Sequence, residues 1–321
     1  MTMSLQLPDL LSFCSVFELR TSKHCKGVSN ASEKWLLESG VALSSMTWSA
    51  SKPGLLAAAC HPTADPTQLR FITDFLSLLL HHREQPVLVS QVASATATTR
   101  TPCSEDADTF IMLLSDRLSR AADRHPGWYA RFVKSRRCYV NARRLLAKHS
   151  AEGALPDLES YVEQRRDASG WRMALEMVQY AGDTHVSDAF LGDALLRQLH
   201  DHACDIAAWS EDIVSCAKGL PRKHEANIVT ILMRERNVPL ECAVSAAGML
   251  VKQSVEAFLA TEEALLLVPD FAADHEVRRY LRGVRDWIAG SVNWLYETQL
   301  FLGEKGNEVR AFGWVFIPVP P

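Results

Sequence analysis

The sequence predicts an all-α protein, a single domain of roughly ten or more helices. Three observations predict it. Apolar residues recur at three- and four-residue steps through most of the chain. Proline and glycine separate these runs: Pro53-Gly54, Pro62 to Pro66, Pro126-Gly127, Gly153 to Pro156, Gly219 to Pro221, Pro239 and Pro269. Strand signals are scarce.

In chain order, Asp65 before Pro66 opens a helix whose buried face is Leu69, Ile72, Phe75, Leu76 and Leu79. Residues 86–104, PVLVSQVASATATTRTPCS, have no helical period and read as a mobile surface loop. Phe110, Leu113, Leu114 and Leu118 mark the next helix. Asp157 after Pro156 opens another. Val277, Tyr280, Leu281, Val284, Trp287, Ile288, Val292 and Leu295 form one long stripe, a helix of about seven turns. Residues 304–321 are punctuated by glycine and proline and read as a tail that packs loosely or acts as a strap. No internal repeat is visible.

The net charge of −4 and pI near 6.3 give no electrostatic case for a nucleic-acid partner. Arg131, Lys134, Arg136, Arg137, Arg143 and Arg144 cluster at helical spacing and read as a solvated face. The eight cysteines form no C-x-x-C pair, which predicts buried free thiols in a reducing cytoplasm. No basic segment precedes an apolar run at the start, and no stretch approaches a membrane-spanning length of apolar residues, so neither signal peptide nor membrane span is expected.

Several segments resemble fungal class I terpene synthases, the sesquiterpene cyclases of mushrooms in particular. LPDLLSFCSVFELR (Leu7 to Arg20) looks like their N-terminal strap, here bounded at 1–46. PGLLAAACHPTADPTQLR (Pro53 to Arg70) is similar to the lead-in of their first site helix. LPDLESYVEQRRDASG (Leu155 to Gly170) carries the paired arginines of the family. WSEDIVS (Trp209 to Ser215), NIVTILM (Asn227 to Met233) and YLRGVRDWIAGSVNWLYET (Tyr280 to Thr298) match the second site helix, its successor and the last long helix. The resemblance covers almost all of residues 1–321 and implies a class I terpene synthase-like helical barrel around an apolar pocket. It also implies a site where an aspartate-rich motif and an Asn/Ser/Glu triad hold three magnesium ions. Those ions draw the diphosphate off a prenyl substrate, supplying about six positive charges to a leaving group of about three negative ones. The family's subunit pairing makes a homodimer conceivable.

This sequence departs from that pattern at three of four contact sets. Anchored on Asp74-Phe75, the family's adjacent acids fall on Arg83 and Glu84 and the third on Val87; a shifted register places His81 and His82 there. Glu84 is the one acid from residue 75 to residue 104. The Asn/Ser/Glu triad falls on Glu211, Ser215 and Gly219, with Gly219-Leu220-Pro221 stopping the helix. Asp212 is expected to point to another face. The diphosphate-sensing arginine maps onto Arg165, with Arg166 beside it, and both have a structural alternative in pairing with carboxylates such as Asp157 or Asp167. The closing Arg-Tyr pair falls on Leu300 and Phe301. His200, His202 and Cys204 invite a metal reading, but residues two apart on a helix diverge, so an incidental cluster is expected.

The expectation is therefore an enzyme of isoprenoid natural-product synthesis that has no metal ligands and no cofactor. It would bind a small apolar isoprenoid-derived substrate and promote a cyclisation, cycloaddition or isomerisation without diphosphate ionisation. The alternatives are a magnesium-dependent sesquiterpene synthase acting on farnesyl diphosphate with a rebuilt metal site, and a catalytically dead ligand- or partner-binding homologue. Candidate catalytic residues are His81, His82 (with Glu84 as its orienter), Glu84 and Glu211. Candidate substrate contacts are Phe75, Leu79, Arg165, Arg166, Trp209, Ser215 and Trp294.

Overall fold

Helix boundaries fall where the punctuation placed them. The computed structural model describes residues 2–40, 49–84, 105–219 and 226–318. The 86–104 loop lies outside them. Pro53, Pro66, Pro126 and Pro269 each occupy the first position of a helix, where a missing N–H costs nothing. Asp157 accepts from the Ser160 N–H at 2.8 Å at the start of Leu158–Ala168. Asp65 accepts from the Thr67 and Gln68 N–H groups at 2.7 and 2.9 Å at the start of Pro66–Glu84.

The long helices are Pro66–Glu84, Glu105–Arg124, Pro126–Ala151, Ala194–Ser215, Leu240–Leu266 and His275–Glu297. They surround a continuous apolar core that contains the whole predicted Leu69–Leu79 face and every residue of the predicted Val277–Leu295 stripe. Pro66–Glu84 is enclosed on all sides, since Thr73, Asp74 and Ser77 are buried with its apolar residues. Thr73 and Ser77 return their hydroxyls to the backbone carbonyls of Leu69 and Thr73, which makes that burial tolerable. His275–Glu297 crosses Pro53–Cys60 so closely that a Cβ on Gly290 would lie 2.4 Å from the Cys60 nitrogen. Leu240–Leu266 is long and apolar enough to cross a membrane by composition. Its buried stripe of Val244, Ala247, Val251, Val255 and Phe258 faces the core while Lys252 and Glu256 stay exposed, so its periodicity is that of a core helix.

Of the two readings of the tail, the ordered strap is the one the described residues resemble. Gly306–Phe312 is a helix, and Trp314–Pro318 (β2) pairs antiparallel with Thr2–Gln6 (β1), Leu5 opposite Val315. Leu5, Val315 and Ile317 point into the core while Trp314 and Phe316 stay exposed, the period-2 alternation of a half-buried strand. Proline and glycine on both sides masked five alternating residues. The N-terminal segment is tied down as well: Arg20 grips Asp286 through two bonds of 3.0 and 2.5 Å, and the Phe17 ring packs edge-on against Phe258.

Seven cysteines are free among the described residues, four of them buried. Burial pushes the Cys14 and Cys204 thiols up to about 12, so neither is a nucleophile at neutral pH.

Candidate functional site

Arg83, in the last turn of Pro66–Glu84, meets Glu211 near the end of Ala194–Ser215, and Leu158–Ala168 packs against Ala194–Ser215 and Pro126–Ala151. The last turn of Pro66–Glu84 carries His81, His82 and Arg83, cations and imidazoles where the helix dipole favours positive charge. Arg143 donates to the His82 carbonyl at 2.5 Å and the Arg83 carbonyl at 3.3 Å, satisfying acceptors that a helix end leaves open. The solvated-face reading therefore fails for Arg143, and for Arg131, which bonds Gln179 and pairs with Glu176.

Arg83 reaches across the gap and bonds Glu211. These two residues stand on the positions where the resemblance places a metal-binding acid and the first triad ligand. Arg165 donates to the same Glu211 Oε1 at 3.0 Å and to Asp212 Oδ1 at 2.7 Å. Asp212 also accepts from the Tyr161 hydroxyl and, at 3.0 Å, from the Ile228 N–H. Asp212 is thus part of this network, which corrects the expectation that it points away. The cluster is buried, Glu211 and Asp212 each at 4 % exposure. Two polar atoms in it, Glu211 Oε2 and Arg165 Nε, are buried with no hydrogen-bond partner.

Burial alone would raise the Glu211 carboxyl, but Arg83 and Arg165 together hold it below its ordinary range. For Asp212 burial wins, and its carboxyl is raised despite Arg165, Tyr161 and the Ile228 N–H. Glu211 is accordingly the anion of an ion pair. Arg83 and Arg165, its partners in that pairing, hold it in the ionised form.

A cavity of about 720 Å³ opens over this cluster. Arg83, Arg143, Arg165, Lys218, Glu84 and Asn227 supply its polar wall, and Leu80, Leu146, Leu300 and Phe301 much of its apolar wall. Glu84 and Ser215 line it as expected. Leu300 and Phe301 stand at its rim, where the Lys218 ammonium lies 5.0 Å from the Phe301 ring. His82 Nδ1 lies 2.8 Å from both the Tyr139 hydroxyl and the Arg143 guanidinium, so its orienting groups are these and not Glu84. Lysine 218, Tyr139, Tyr161 and Asn227 were not anticipated. The Tyr139 and Arg143 spacing of one helical turn was the available signal.

Other expected contacts lie elsewhere. Phe75, Leu79, Trp209 and Trp294 are buried in the core and are not wall residues of this cavity. Phe75 packs edge-on against Phe132, Trp294 against Trp171 and Phe301, and the Trp294 indole donates to the Ser51 carbonyl at 2.9 Å. Arg166 bonds Asp205 at 2.8 and 2.7 Å and pairs with Asp201 at 3.3 Å, and it does not line this cavity. Its partners are not Asp157 or Asp167. His200 is half-buried, lies 2.9 Å from the Tyr280 hydroxyl and is lowered to about 4 by desolvation and Arg172.

The described residues do not offer the donor set of a magnesium cluster. Among the described residues no group of three His, Cys, Asp or Glu side chains could hold a metal. Ser215 donates to the Asp212 carbonyl at 2.7 Å and accepts from Asn227 at 3.2 Å. The helix stops at Ser215, a short 3-10 turn follows, and Gly219 sits at φ 145°. A third ligand on that face thus lacks both a carboxylate and helical backbone.

Comparison with known proteins places the chain. Residues 81–257 match the family described as terpene synthase family 2, C-terminal metal binding. Sesquiterpene synthase Agr1 of Cyclocybe aegerita is 31% identical over 317 residues, covering 95% of this chain and 90% of the relative. Alpha-muurolene synthase of Coprinopsis cinerea is 30% identical over 325 residues, covering 95% and 75%. The α-eudesmol synthase structure superposes with a TM-score of 0.74 at 18% identity, covering 88% of this chain and 97% of that one. Germacradien-4-ol synthase from Streptomyces citricolor gives 0.70 at 22% identity, covering 91% and 98%. The protein belongs to the terpene synthase family and has the class I terpene cyclase fold.

Proposed function

We propose that this terpene synthase works without the magnesium-driven ionisation of a prenyl diphosphate. It binds an isoprenoid-derived substrate at the mouth and promotes a cyclisation, cycloaddition or isomerisation by holding a reactive conformation. The Arg83–Glu211 ion pair carries this reading. It spans the two site helices, and a guanidinium at that point repels divalent cations while using the carboxylate they would need. The cavity suits a chain with one polar end, since its lining combines apolar groups from Leu80, Leu146, Leu300 and Phe301 with the cations Arg83, Arg143, Arg165 and Lys218 and the acids Glu84, Glu211 and Asp212. Preorganisation of this kind lowers a barrier by removing conformational freedom before the bond-forming step. His82, held by Tyr139 and Arg143, and the cavity-lining Glu84 are the groups placed to move a proton.

A second reading is favoured by the named activities of the relatives. On it, the chain is a magnesium-dependent sesquiterpene synthase acting on farnesyl diphosphate. One assay separates the two. Purified protein is incubated with farnesyl diphosphate in magnesium and in EDTA, with terpene and released pyrophosphate measured, and farnesol binding is followed by calorimetry. The expected outcome is farnesol binding with no magnesium-dependent pyrophosphate release. Magnesium-dependent terpene formation would replace our reading with the second.

A further inference from the structure

A second basic cavity lies at the opposite end of the first site helix. It has a volume of about 690 Å³ and is walled by Arg70, Arg117, Arg120, Arg124, Phe71 and Tyr180, with Asp65 and Asp183 at its rim. Arg117, Arg120 and Arg124 are spaced by three and four residues, so they share one face of Glu105–Arg124. All three line the same cavity as the Tyr180 ring.

The acids nearby are already committed. Fully buried Asp74 takes both carboxylate oxygens to Arg70 Nε at 3.0 Å and also bonds Arg117. Arg117 in turn lies 5.0 Å from the Trp35 ring. Asp65 caps the Pro66–Glu84 helix, with its carboxylate on the Thr67 and Gln68 N–H groups. Asp183 pairs with His125 at 3.1 Å. Arg120 and Arg124 have no carboxylate partner among the described residues and face the same cavity from adjacent turns. Two unpaired guanidiniums one turn apart repel each other on a helix, and a bound oxyanion relieves that repulsion.

We propose that this cavity is a metal-free oxyanion site for a small phosphate- or diphosphate-bearing molecule, held by Arg120 and Arg124 with the free guanidinium nitrogens of Arg70 and Arg117. The organic part of such a ligand would lie against the Tyr180 and Phe71 rings, which meet edge-on at 5.0 Å. The site is separate from the mouth described above and does not depend on the function proposed there.

The test is calorimetric titration of the full chain with inorganic pyrophosphate in EDTA, repeated with adenosine diphosphate to include an organic body. Arg120→Glu with Arg124→Glu should weaken pyrophosphate binding at least tenfold, and Arg120→Gln with Arg124→Gln should weaken it by less. Lys218→Glu, at the mouth, should leave this binding unchanged. Both arginines are exposed, so thermal melts of the variants should match the parent. Loss of binding in Lys218→Glu with retention in both arginine pairs would overturn the proposal, as would absence of metal-free pyrophosphate binding in the parent protein.

Discussion

Arg165 and Arg166 are neighbours on one helix and head two ion networks that differ in one respect. On the Arg166 side, Asp205 and Asp201 take its guanidinium, and Arg172 closes the chain by bonding Asp201 at 2.7 Å and Asp167 at 2.9 Å. None of these side-chain atoms is a buried orphan. On the Arg165 side, Arg83, Glu211, Asp212 and Tyr161 are equally crowded, yet Arg165 Nε and Glu211 Oε2 lack partners and the group opens on a cavity. A saturated network holds helices together. An unsaturated one beside a cavity retains bonding capacity that a ligand or water can use.

The largest way to break this contrast is Arg165→Met. It removes the cation shared by two buried carboxylates, leaving Glu211 with Arg83 alone and Asp212 with only the Tyr161 hydroxyl and the Ile228 N–H, and should cost about 3–5 kcal/mol in urea unfolding. Arg166→Met should cost less, about 1–3 kcal/mol, because its partner tolerates a proton. Burial lifts the Asp205 carboxyl to about 6 in spite of Arg166. Equal losses in the two variants would erase the distinction.

The pH dependence sharpens it further, with smaller effects. Asp205 has its folded value raised above 3.8, so its contribution is full below that value and is lost as pH rises through about 6. Glu211 has its folded value lowered from 4.5, so its contribution is present above 4.5 and is lost as pH falls through the depressed folded value. Asp205→Asn should flatten the stability profile between about pH 4 and 6, and Glu211→Gln should flatten it below about 4.5. Thermal melts across pH check both, and profiles that leave the parent slopes intact would contradict the assignment.

The apolar period exposed the helices because a buried face must repeat every three or four residues, and Leu69 through Leu79 do so without interruption. The β1–β2 ribbon escaped because five residues of alternation between Gly313 and the final prolines carry little signal alone. The site was half legible. Arg83, Glu211 and Ser215 were locatable because the resemblance supplies a register. Their mutual bonding was not, since a register assigns positions and says nothing of what side chains 128 residues apart do to each other. Trp209 and Trp294 were placed on the pocket wall because aromatic residues suit either wall or core, and only packing separates the two.

The most direct test of the ion pair's role is to titrate the protein with inorganic pyrophosphate at fixed magnesium concentrations. If Arg83 and Glu211 occupy the ground that divalent ions would need, magnesium brings no cooperative tightening in either the parent or the Arg120→Gln, Arg124→Gln variant, and apparent affinity changes only through magnesium's own complexation of free pyrophosphate. Cooperative tightening of pyrophosphate with added magnesium would show a working metal cluster and contradict the account.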